Sequence, residues 1–138
     1  MSEEDIAGLY NNPLINAFIS LTSGEGWGRP LAEAMASDVP ILVTGWSGHM
    51  DFVNSGNATL LPFKLKPVPR GIPFTEAGMK WAYVDIGKTA SEMYNIVNNY
   101  KPYKEKAIRA GIEFREKFNK EKVYKRLIEV LDESHDRI

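Results

Sequence analysis

Apolar positions in the first third of the chain come in short unbroken runs. Residues 16–22 (NAFISLT) and 39–44 (VPILVT) have the length and the β-former content of short strands. Between them, Leu31, Ala32, Ala34, Met35 and Ala36 form a helical stretch whose first turn is preset by Pro30. Strand, glycine-punctuated turn, short helix and strand make a βαβ unit, with parallel strands and a right-handed crossover expected. Further along, residues 55–64 predict a turn followed by a short strand. Residues 65–84 contain Pro67, Pro69, Gly71, Pro73 and Gly78 and predict a long loop with little regular structure, of the kind that is often functional or else mobile. Asp85 is placed to cap a helix of about 86–99, and Pro102 separates it from a second helix near 103–117. Asn119 would cap a third, in which Val123, Tyr124, Leu127, Ile128 and Leu131 fall on one stripe. These C-terminal helices, about 86–135, are expected to cover the sheet.

One position breaks the apolar run of the first helix. Glu33 is flanked by Leu31, Ala32, Ala34 and Met35, a setting that predicts a carboxylate facing an interior or a ligand. An unpaired buried charge costs several kcal/mol or shifts its pKa until it neutralises, so a partner is required. The plain alternative is an i,i+4 pair with Arg29, worth about 0.3 kcal/mol. Eight residues earlier, Glu25 lies in a turn punctuated by Gly24, Gly26 and Gly28. That alternation allows positive φ and close approach of a ligand to the backbone. In a βαβ unit the turn falls at the carboxyl end of a strand and at a helix N-terminus, where anions and phosphates bind. An acid there also has a simpler role, complementing the helix dipole.

The run SGEGWGRPLAEAMASDVP, residues 23–40, resembles the E-x7-E signature of retaining glycosyltransferases of GT-B architecture, the group 1 or glycogen-synthase-like family. The resemblance rests on Glu25, Gly26, Trp27, Gly28, Pro30, Glu33, Ala34, Met35, Ala36 and Pro40. It extends less sharply to the helix expected over residues 2–10, where Ser2 and Asp5 have the spacing of a capping box. Residues 45–53 (GWSGHMDFV) are similar to the loop after the next strand, and residues 80–85 (KWAYVD) to an element of members with a longer insertion. One departure is Asp38, where the family usually has Gly; aspartate tolerates the left-handed conformation at a cost.

The resemblance implies an α/β fold: a Rossmann-like, three-layer parallel sheet, the C-terminal half of a GT-B fold truncated at its N-terminus, with a helical C-terminal segment. Residues 1–138 would form one partial donor-binding domain. Glu33 would accept hydrogen bonds from the ribose hydroxyls of a nucleotide-diphosphate sugar. Glu25 would be the catalytic group, facing the transferred sugar and stabilising positive charge as its bond to phosphate breaks. Ser23, Gly26, Trp27, Gly28 and Arg29 would approach the sugar and diphosphate, and His49 would lie near the sugar. Family enzymes place an Arg and a Lys upstream of this segment, and a separate acceptor-binding domain. Neither is found in this sequence, so the expected partners are the nucleotide sugar and a separate acceptor domain or chain.

Charge sharpens that expectation. Residues 1–60 hold the acids Glu3, Glu4, Asp5, Glu25, Glu33, Asp38 and Asp51 but a single base, Arg29, so a leaving diphosphate would find little positive compensation. The alternative reading is therefore a non-catalytic nucleotide- or phosphate-binding, or interaction, module that keeps the fold. Residues 101–126 carry ten Lys/Arg against four Glu; this reads as a solvated helix face with pairs such as Glu105–Arg109 and Glu113–Lys117, a membrane-surface contact being the lesser reading. The net charge of −1 gives no global argument for nucleic acid. With no cysteine there is neither a disulfide framework nor a thiolate site, and the expectation is a cytoplasmic chain. His49 and His135 form no metal-ligand spacing, so no metal or cofactor is expected; His135 reads as inert. An unpaired sheet edge would leave homo-oligomerisation open.

Overall fold

The computed structural model describes residues 2–135 of the 138-residue chain. Helix α1 (Glu3–Tyr10) begins at the expected capping box: Ser2 accepts from the Asp5 amide, and the Asp5 carboxylate accepts from the Ser2 amide. Strand β1 (Phe18–Ser20), helix α2 (Arg29–Ala36) and strand β2 (Ile41–Thr44) form the βαβ unit. A 3-10 turn at Gly48–Asp51 then leads to β3 (Thr59–Leu61). The three strands make a parallel sheet of order β1-β2-β3, with Phe18 opposite Ile41 and Leu42 opposite Thr59.

Alternation along these strands sorts their side chains onto two faces. Phe18, Ile41, Val43 and Leu60 join a core with Leu31, Ala34 and Met35 of α2 and with Tyr10 of α1. Ile19, Leu42 and Leu61 face the other way, toward Ile96. Ile96 lies on α3 (Ile86–Asn98), and α4 (Tyr100–Lys117) contributes Ala110 to the first core and Tyr103 to the second. The sheet is thus covered on both sides, a mixed α/β arrangement of three layers compatible with a Rossmann-like fold.

Helix α4 lies close against α2 because Gly111 has no side chain. A Cβ there would sit 2.8 Å from the Met35 carbonyl oxygen and collide with Asp38. Arg115 of α4 donates to the Ala36 carbonyl (2.6 Å) and to the Asp38 carboxylate (2.7 Å), and Lys104 donates to the Asp38 carbonyl (2.7 Å). Part of the basic run of residues 101–126 therefore satisfies carbonyls left open at the end of α2. Asp38 adopts φ 57°, the left-handed conformation expected of it, and Arg115 holds it there. The ion pairs differ from expectation: Glu105 pairs with Lys101 and not Arg109, and Glu116 with Lys122.

Three expectations for the second half of the chain fail. Residues 65–84 are not a featureless loop: β4 (Phe63–Pro67) and β5 (Lys80–Val84) pair antiparallel, and only residues 68–79 lie between them. The alternation in Phe63-Lys-Leu-Lys and Lys80-Trp-Ala-Tyr-Val carries the strand signal, which the flanking prolines obscure. The last helix, α5 (Lys120–His135), also departs from expectation. Its N-terminus is capped by Asn119 as expected, the Asn119 side chain accepting from the Glu121 and Lys122 amides. Yet Val123, Tyr124, Leu127, Ile128 and Leu131 are all exposed, so the stripe does not cover the sheet. Asp85 caps α3 as expected, through the Lys88 amide, while α4 starts earlier than expected and takes Pro102 into its first turn, where a missing N–H does no harm. The side chain of His135 lies outside the described residues. No described helix is long and apolar enough to cross a membrane.

Candidate functional site

Ser23 to Gly28 connect the carboxyl end of β1 to α2, and residues from the loop after β2 hold this turn in place. The Ser47 hydroxyl accepts from the Glu25 amide (3.0 Å) and donates to the Glu25 carbonyl (2.8 Å), to which the Gly48 amide also donates (2.9 Å). Backbone meets backbone at Gly48: a Cβ there would overlap the Gly26 carbonyl oxygen and fall 2.8 Å from that of Glu25. No substituent fits in that space, so Gly48 is required by close approach. Ser47 itself takes φ 92°, a strained conformation for a residue with a side chain, and its two hydrogen bonds offset the cost.

Within the turn Gly28 uses the freedom the glycines offer, with φ at 92°; Gly24 and Gly26 do not. Gly28 is the N-cap of α2 and offers no side-chain cap, so the first-turn amides have no acceptor from within the helix. A Cβ at Gly28 would meet the Leu31 Cδ1 (2.9 Å), the His49 Cβ (3.2 Å) and the Glu25 Cγ (3.4 Å). The Glu25 side chain thus lies over the start of α2. One of its carboxylate oxygens accepts from the Gly26 amide at 3.0 Å, which leaves acceptor capacity on the group.

Glu33 is half-buried, its side chain 31% exposed, and Arg29 approaches it only to 3.9 Å with 85% of its own side chain in solvent. The expected closed interior is not there, and the i,i+4 pair is a loose one. On its other side stands Tyr10, whose hydroxyl donates to the Pro30 carbonyl at 3.1 Å. Burial, and secondly the Glu33 carboxylate, push the Tyr10 phenol above its ordinary range. Glu33 therefore sits beside the tyrosine that pins the first turn of α2.

The remaining candidates divide. Ser23 is tied through its carbonyl to the Ala82 amide of β5 (3.0 Å), which fastens the hairpin to the turn. Trp27 is 37% exposed but packs on Phe52 (4.8 Å between ring centroids) and Phe118 (5.7 Å), part of an aromatic cluster with Phe114. Its ring anchors the turn to the end of α4. His49 is fully enclosed and not exposed, and it has the hydrogen bond that is the plain expectation for a loop histidine: its Nε2 donates to the Thr44 carbonyl at 2.7 Å. That bond makes Nδ1 the unprotonated nitrogen of the neutral ring. Nδ1 and the buried Thr44 Oγ1 have no hydrogen-bond partner among the described residues.

Surface hollows of about 480 and 360 Å³ lie elsewhere, the first lined by Thr59, Glu92, Tyr103 and Lys106, the second by Ile19, Met93, Ile96 and Tyr100. Among the described residues, no group of three or more His, Cys, Asp or Glu is placed to hold a metal ion. Sequence reasoning misses Ser47 and Gly48; their signal is the Ser-Gly pair shortly after a strand, adjacent to the candidate residues in space and 22 or more away in sequence. No family model matches the chain, and no curated protein matches it.

Proposed function

We propose that this chain is a nucleotide-sugar-binding domain of a retaining, GT-B-type glycosyltransferase, with Glu33 binding the donor ribose and Glu25 facing the transferred sugar. The observation that carries this reading is the Glu25 turn. It stands at the carboxyl end of a parallel strand, held by backbone contact with Gly48, and opens an uncapped helix whose first-turn amides are available to a diphosphate. A site of this kind needs rigid backbone donors and an acceptor carboxylate with spare capacity, and both carboxylates keep it. Arg29, mostly in solvent and only loosely paired, is the base beside the turn that can meet an anion.

With Arg29 the single base of residues 1–60, a leaving diphosphate finds little positive charge, and this favours a second, non-catalytic reading: a nucleotide- or phosphate-binding, or interaction, module. Thermal unfolding with UDP, GDP, ADP and their sugars separates the two. On the first reading one nucleotide sugar at about 100 times its Kd raises Tm by roughly 5–10 °C, and Glu33→Ala removes the rise. A rise with inorganic phosphate or simple nucleotides that ignores the sugar supports the binding form of the second reading, and no rise with any of them overturns the first reading and leaves the interaction module.

A further inference from the structure

The β4–β5 hairpin is used by none of this. It runs on from β3 through Pro62 and is fastened at its base by the Ala82–Ser23 hydrogen bond and by Trp46 packing on Phe63 at 5.7 Å. Cross-strand partners share a face. Phe63 with Val84 and Leu65 with Ala82 occupy one face, and Ala82 is buried against the domain. The opposite face carries Lys64 with Tyr83 and Lys66 with Trp81, the Lys66 ammonium standing 5.0 Å above the Tyr83 ring. Arg70 adds positive charge at the tip, whereas Lys80, opposite Pro67, falls on the face of Ala82; Glu76 is the one acid of residues 62–84.

Beyond the paired residues the tip is apolar and ordered. The Val68 amide donates to the Met79 carbonyl (3.0 Å), and the Thr75 hydroxyl closes a turn onto the Ile72 carbonyl (2.7 Å). This turn holds Phe74 at φ 61° with its side chain wholly in solvent, beside the exposed Ile72 and Met79. A strained backbone that presents a large apolar ring to water marks a contact surface.

We propose that this hairpin is a membrane-surface contact: Ile72 and Phe74 enter the acyl boundary of an anionic bilayer while Lys64, Lys66 and Arg70 meet its headgroups. Charge complementarity selects the partner. Cations on the hairpin match anionic lipid, and the rings of Trp81 and Tyr83 stand level with Lys66 and Lys64 on the same face, amphipathic rings of the kind that settle at the headgroup level. A soluble polyanion would use the lysines and leave Phe74 without a role. The inference stands independently of what the Glu25 turn binds.

Because the sequence has no cysteine, Ala77→Cys provides one attachment point for an environment-sensitive dye at the tip. The full chain is mixed with vesicles of phosphatidylcholine, with and without phosphatidylglycerol, and binding is read by co-sedimentation and by dye emission. Binding to the anionic vesicles with a blue shift of the dye is expected. Neutralising Lys64 and Lys66 to Gln should weaken partitioning roughly fivefold per charge, and added salt should weaken it further. Ile72→Ser with Phe74→Ser should weaken it roughly tenfold or more, with an unchanged far-UV circular dichroism spectrum showing that the variant is folded. Absence of binding at low salt overturns the proposal. So does binding that the tip variant leaves unchanged, binding abolished instead by Lys101→Gln with Arg109→Gln on α4, or retention on heparin by a chain that ignores vesicles, which would mark a polyanion site.

Discussion

The turn at residues 24–28 and the hairpin tip at residues 68–79 are both punctuated by glycine, and both contain glycine at positive φ, but for different physical reasons. In the first, the decisive glycine is Gly48 from another loop, and what forbids a side chain there is the Gly26 carbonyl, which its Cβ would overlap. In the second, Gly71 (φ 86°) and Gly78 (φ 91°) have nothing within 4 Å of where a Cβ would stand, so only their own backbone conformation favours glycine. One turn is fixed by its surroundings and the other by itself. A turn fixed from outside can hold a carboxylate and helix amides in a set geometry; a self-fixed tip can present side chains outward to whatever it meets.

Gly48→Ala is the sharpest way to break the comparison. The methyl must displace residues 25–28 or the loop after β2, since the contact is backbone on both sides, and the expected loss is about 3 kcal/mol in urea unfolding. A loss below about 1 kcal/mol would mean that the two loops separate easily and that the turn is not fixed from outside.

A second hold on the same turn comes from Tyr10. Tyr10→Phe removes its hydrogen bond to Pro30 and is expected to cost about 1 kcal/mol. The raised phenol gives this hold a pH dependence. Its folded-state pKa lies above the unfolded value of 10.0, so the folded state keeps its proton to higher pH. The contribution is complete below pH 10 and is lost as pH climbs through the folded value, because there the unfolded chain ionises first. Alkaline unfolding should therefore be less steep in Tyr10→Phe than in the parent chain; identical profiles would remove Tyr10 from the set of holds. Tyr100 and Tyr103 are shifted the same way and remain in both proteins, which makes the difference between profiles the informative quantity.

The first turn is far more legible in the sequence than what holds it. Strands β1 and β2 are visible as apolar runs, the start of α2 through Pro30, and the caps at Ser2, Asp85 and Asn119 through side chains that act three residues or fewer along the chain. Those signals are local. Ser47 and Gly48 act across 22 residues or more, and nothing in their own neighbourhood announces the carbonyl they meet. The hairpin is hidden for the converse reason: Pro67, Pro69 and Pro73 are strong local signals for loop, and cross-strand pairing of Lys64 with Tyr83 overrides them. In α5 the apolar stripe is legible as a stripe, but periodicity says only that a helix has an apolar face, not that this domain covers it. At the candidate site, the positions of Glu25 and Glu33 follow from the motif, whereas the enclosure of His49 and the packing of Trp27 on Phe52 depend on tertiary contacts with no sequence periodicity.

Gly71→Ala tests the other side of the comparison. With open space around it, alanine there meets no atom and bears only the left-handed backbone penalty, about 1–2 kcal/mol. The effect should be smaller than that of Gly48→Ala and should leave nucleotide-dependent Tm shifts untouched. If Gly71→Ala equals or exceeds Gly48→Ala, the tip is packed on something and the distinction between the two turns fails.

The smallest effect is expected where the exposed surface is most apolar. Phe74 has its whole side chain in solvent, so Phe74→Ser removes no packing and should change stability in water by less than about 0.5 kcal/mol. Serine relieves little of the positive-φ strain and buries nothing, so neither sign dominates. A ring wholly in water adds no buried contact to the fold. Measured by urea unfolding without lipid, a loss above about 1 kcal/mol would show that Phe74 packs within the domain and would place the tip, like the Glu25 turn, among the parts held from outside.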